Sequence, residues 1–129
     1  MEKKKTLSHD ELKRYLDDKI SQCANTMSKA TKEAERSFME LVDDDLLDDA
    51  YESEFKLHYY DAAFYFAEQG LHDFTEHVKY ILKEIPEKVS QESGNHSMNI
   101  KQTYTKAMRE KVMWEIYKEF SELLESVKE

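Results

Sequence analysis

Apolar residues recur along this chain at intervals of three and four, the spacing that gathers side chains onto one side of an α-helix. The first stripe runs Leu12, Leu16, Ile20, Cys23, Met27, Ala30, Ala34, Phe38 and Leu41. Ahead of it stand Ser8, which can cap a helix, Glu11 at the reciprocal position of a capping box, and Leu7, placed to staple onto Leu12. A helix is therefore predicted to begin at Ser8. The small residues Cys23, Ala30 and Ala34 imply either a closely approaching neighbour or an interruption between Ala24 and Ser28, and continuity is the expectation.

The acidic run Asp43, Asp44, Asp45 breaks this pattern. Any of the three can cap a following helix, whose positive end favours carboxylates, so a second helix is predicted from about Leu46. It carries seven of the fifteen aromatic residues: Tyr51, Phe55, Tyr59, Tyr60, Phe64, Tyr65 and Phe66. Leu47, Tyr51, Phe55, Ala62, Tyr65 and Phe66 fall on one side, Leu46, Leu57, Tyr60 and Phe64 on another. Two apolar sides imply two neighbours, which makes this the central helix of the fold or part of a homo-oligomer interface.

Gly70 suits a helix C-terminus, because glycine adopts the left-handed conformation without steric cost. A helical hairpin should follow, with Leu71, Phe74, Val78, Ile81, Leu82 and Ile85 as its apolar stripe. Pro86 lacks a backbone donor and crowds the carbonyl of Leu82, so this third helix is predicted to kink or end there, with room for one more turn through Val89. A loop is expected over 90–99. A last helix follows from about Met98 to Val127, with Tyr104, Met108, Val112, Ile116, Phe120 and Leu124 at four-residue steps.

These elements predict an all-α chain, a single domain over 1–129. It is expected to be a compact bundle of about four helices, two long outer ones and a shorter central helical hairpin, with self-association as an option. Residues 1–7 are expected to be a flexible basic segment. Composition agrees: two glycines and one proline are too few for the turns of an all-β chain, and 36% charged residues against 40% apolar ones imply long solvated faces around a thin core. No apolar run follows Lys3, Lys4 and Lys5 that could act as a signal or membrane span, and Cys23 has no intrachain partner, so a cytoplasmic location is expected.

Charge narrows the function classes. A net charge of −9 opposes direct binding to nucleic-acid phosphates, which depends on Lys and Arg. Residues 40–61 hold nine acids against one base, Lys56, so nearly all the net charge is local. Asp43, Asp44, Asp45, Asp48, Asp49 and Glu52 are the candidate partner-binding residues: a negative ridge that could lie in the basic groove of a protein partner and speed the encounter. The plainer alternative is a solvated helix start that complements the dipole.

Glu54, His58 and Asp61 share a helical face, and carboxylate with imidazole is a ligand set for zinc, iron or manganese. With His77 from the adjacent helix they make an alternative metal site; otherwise His58 is a histidine at the edge of the core. The Glu-x-x-His pairs of di-iron bundles are absent, since Glu54 to His58 and Glu68 to His72 are each one residue too far apart. His72, Asp73, Glu76 and His77 read as solvated surface, and Cys23 as a small packing residue without a base beside it. The two isolated glycines exclude phosphate-cradling loops. No catalytic residue and no cofactor is assigned.

The expected function is regulatory or inhibitory binding of another macromolecule. Phage-encoded inhibitors of nucleases and other defence enzymes share this general character, an analogy that no motif carries, and its sharper form is a nucleic-acid mimic whose carboxylates stand in for phosphates. The alternatives are a metal-binding bundle or metal-dependent hydrolase, and a homo-oligomeric scaffold.

Overall fold

The computed structural model describes residues 7–36, 46–93 and 100–127, which hold four α-helices and no strand. In chain order these are α1 (His9–Arg36), α2 (Leu46–Gln69), α3 (Leu71–Ser93) and α4 (Ile100–Ser126). The predicted all-α bundle is what the chain forms. The expected basic segment lies outside the described residues except for Leu7. Leu7 is held in place: its N–H donates to the carbonyl of Ser126 at 2.9 Å, and its side chain packs on the core.

Helix α1 opens on the predicted capping box. The Ser8 N–H donates to Glu11 Oε1 and the Glu11 N–H donates to Ser8 Oγ, both at 3.2 Å, which satisfies donors that the first turn would otherwise leave unpaired. The helix runs unbroken through 24–28, where the Thr26 hydroxyl donates back to the carbonyl of Gln22. Leu12, Leu16, Cys23 and Ala30 are buried; Phe38 and Leu41 lie outside the described residues. The small middle of the stripe has the first of its two explanations, since α1 packs along α2 more extensively than any other pair of helices in the fold.

Helix α2 starts at Leu46, as its sequence predicts, and touches each of the other three helices. Its most buried line is Tyr60, Ala63 and Ala67. Two alanines at that line let neighbouring backbones come close, while Leu57, Phe55, Tyr59 and Phe64 pack at the flanks of the core. The aromatic sides of α2 thus find neighbours within the chain. Of the first expected side, Tyr65 is instead 59% exposed.

Gly70 ends α2 with φ +139°. A Cβ at this position would meet nothing within 4 Å, so glycine is needed for its backbone conformation and not for space. The Gly70 N–H donates to the Ala67 carbonyl at 3.2 Å while its own carbonyl accepts from the Phe74 N–H at 3.1 Å, which joins the end of one helix to the first turn of the next. Helix α3 does not end at Pro86 but continues to Ser93, so residues 90–93, expected in the loop, are helical. Ile85 and Val89, on either side of the proline, both pack on the core, and that burial offsets the lost backbone hydrogen bond. Residues 94–99 of the expected loop lie outside the described residues.

Three cross-helix contacts fix the direction of α4 against α2. Glu52 pairs with Lys111, Lys56 with Glu115 and Tyr60 with Glu119, a constant step of four on both helices, so the two run parallel. Helix α1 runs against both, since the His9 ring meets the Ala67 carbonyl and Leu7 meets Ser126. The core between them is filled by Phe74, Val78, Ile85, Val112, Ile116 and Phe120 together with Leu12 and Leu16, all at most 1% exposed.

Candidate functional site

Two polar constellations stand out, one inside the bundle and one on its surface. The inner one is centred on Glu119 of α4. The Tyr60 hydroxyl donates to Glu119 Oε1 at 2.5 Å, the Tyr15 hydroxyl donates to Oε2, and Lys19 Nζ lies 3.8 Å from Oε2. Lys19 also sits over the Tyr15 ring, 5.5 Å from its centroid. Burial, reinforced by the hydrogen bond to the Glu119 carboxylate, pushes both tyrosine hydroxyls above the ordinary tyrosine range. Both are kept as donors. The constellation ties α1, α2 and α4 together at one level and leaves the carboxylate oxygens occupied by the chain's own donors, so its chemistry is that of a structural tie.

Cys23 is buried near this tie, and burial raises its thiol pKa against the opposing pull of Lys56 and Lys19. A thiol so placed stays protonated and packs as a small apolar group, as its position in the α1 stripe implies.

The outer constellation lies on α2, on the side opposite Tyr60, Ala63 and Ala67. Glu54, His58, Asp61, Tyr65 and Glu68 follow one another at alternating steps of four and three, and all five are exposed. Three carboxylates stand in line at seven-residue intervals, about 10 Å apart along the helix axis. Lys56, the lone base of α2, is not on this strip: it is turned to Glu115 on α4 at 2.6 Å. At one end of the strip, Tyr51, Glu54, Phe55 and His58 join Arg109 of α4 around a cleft of about 240 Å³.

The sequence-derived candidates distribute as follows. Of the acidic ridge, Asp43, Asp44 and Asp45 lie outside the described residues. Asp48 is half-buried, Asp49 is exposed, and Glu52 is paired with Lys111 of α4 at 2.6 Å, which removes it from an open ridge. Of the alternative metal set, Glu54 and His58 meet at the cleft and Asp61 follows on the strip, but His77 does not complete them. Its ring stacks on Phe66 with centroids 4.4 Å apart, and its Nε2 is buried with no hydrogen-bond partner. Among the described residues no three His, Cys, Asp or Glu side chains stand close enough to hold a metal ion. The four are thus not brought together, because His77 is drawn onto an aromatic neighbour. His72, Asp73 and Glu76 are exposed, as expected of solvated surface, whereas His77, read with them, is half-buried against Phe66.

Two features escaped the sequence pattern. Tyr65 and Glu68 extend the Glu54–Asp61 face by a further heptad, a signal present in the spacing but masked by grouping Tyr65 with the aromatic side. The role of Glu119 depends on hydroxyls 59 and 104 positions away, which no local spacing shows.

Among the described residues no helix is long and apolar enough to cross a membrane. The chain matches no family model, no curated protein and no solved structure.

Proposed function

We propose that the protein is a small regulatory or inhibitory binding protein of the cytoplasm that engages a basic surface on a protein partner through the outward strip of α2. The observation that carries this reading is the strip itself. Glu54, Asp61 and Glu68 face solvent in line, interleaved with His58 and the exposed Tyr65, while the base of the same helix is committed elsewhere. An isolated row of like charges contributes nothing to packing and repels itself, whereas opposite a groove of Lys and Arg it steers encounter and fixes register. Tyr65 supplies what carboxylates lack, a large amphipathic contact of the kind enriched where partners meet. A protein groove that ordinarily receives nucleic acid is one surface of matching charge. The free thiol of Cys23 accords with a reducing compartment.

The test is capture of partners from the native host with the intact protein, compared with a variant carrying Glu54→Gln, Asp61→Asn and Glu68→Gln. A species held by the intact protein at low salt, lost in the variant and released as salt rises, is the expected result. Equal capture by both proteins, or capture indifferent to salt, would remove the strip as the contact.

A further inference from the structure

We infer that the cleft between α2 and α4 is an anchor pocket for one arginine side chain of the partner. The inference rests on the binding function proposed above and assigns it a specific point of attachment. Size comes first. At about 240 Å³ the cleft is below the roughly 300–1,000 Å³ of sites that enclose a cofactor or substrate, and matches a single large side chain.

The lining then selects the chemistry. Tyr51 and Phe55 present aromatic rings, and the Phe55 ring is braced edge-on against Tyr59 with centroids 5.7 Å apart, which limits its freedom to collapse into the space. Glu54 brings an exposed carboxylate to the same wall. Aromatic rings beside a carboxylate suit a planar guanidinium, which can stack on the former and fork onto the latter, whereas an ammonium group pairs with the carboxylate only as a point charge. The acid of the lining is Glu54, and the half of α2 that carries it also holds the exposed Asp49. The opposing charge, Arg109, already takes part in an interaction of its own within the chain. An incoming cation meets Glu54 in a lining that also includes Arg109, and the strip beyond continues the attraction through Asp61 and Glu68.

The intact chain, isotopically labelled, is titrated with two basic peptides of equal charge, one all lysine and one with a single central arginine among lysines. The arginine peptide is expected to move the Tyr51 and Phe55 ring resonances and to bind tighter than its all-lysine counterpart by about threefold or more. Glu54→Gln should abolish that preference, while Glu68→Gln should weaken both peptides alike and leave the preference intact. If both peptides bind equally and shift the strip but not the two rings, the pocket assignment fails and the acidic strip remains the contact. If neither peptide binds, the binding function and the pocket fall together. Ring shifts produced by an acidic peptide, and not by the arginine one, would overturn the assignment in favour of Arg109 as the recognising group.

Discussion

Glu119 accepts from two hydroxyls at once, that of the buried Tyr60 and that of the half-buried Tyr15. Glu119→Ala removes the acceptor of Tyr15 and Tyr60 at once and leaves both donors unsatisfied, so a loss of about 2–4 kcal/mol in urea denaturation is expected. The same pair sets an alkaline limit. Burial and the hydrogen bond to Glu119 raise both hydroxyls above the ordinary value of 10.0, so the folded chain keeps protons that the unfolded chain releases. That contribution is whole below about pH 10 and is lost as pH climbs towards the folded values, and melting curves taken across that range should show it. The Tyr15→Phe, Tyr60→Phe double variant should show a shallower decline. His77 acts in the opposite sense. Burial lowers its pKa from 6.5, with Glu84 opposing, so its neutral form belongs to the fold and stability falls as pH drops below that value. His77→Phe should flatten the acid limb of the same curves. A wild-type slope unchanged in either variant would remove that group from the account.

At the level of elements, α2 is placed by what is small as much as by what is large. Ala63 and Ala67 are fully buried in the core, so Ala67→Leu should overpack it and cost about 1–3 kcal/mol. Gly70→Ala should cost about 1–2 kcal/mol through backbone strain alone, since the space for a methyl group is open. Thermal denaturation of the two variants separates packing from conformation, because only the first should be relieved by a compensating trim on α1 or α4. Much of this layer was legible in the sequence. Ser8 and Glu11 announced the start of α1 and Gly70 the end of α2, because capping and left-handed turns are local chemistry. The continuation of α3 past Pro86 was not legible: it depends on Ile85 and Val89 finding a core made mostly by other helices. The buried line of α2 was hidden for a related reason. Counting large apolar residues points to the aromatics, whereas close packing is signalled by alanine, which looks neutral in a helix of any environment.

For the whole molecule, the same distinction separates the site from the scaffold. The shared face of Glu54 and Asp61 was read from spacing, though as a metal set; Glu68 continues the same seven-residue step and was passed over. The failure of His77 to join Glu54 and His58, and the pairing of Glu52 with Lys111, could not be read from spacing, since each is decided by a partner far along the chain. What emerges is a division of labour around α2, which holds the bundle with one side and leaves the other lined with unneutralised acid. If that acid serves binding, it costs the fold something through repulsion. The most direct measurement is the melting temperature of the Glu54→Gln, Asp61→Asn, Glu68→Gln variant, which takes the net charge from −9 to about −6. A melting temperature equal to or above that of the unaltered chain is expected. A fall of several degrees would show that these carboxylates hold the bundle together, and would contradict that division of labour.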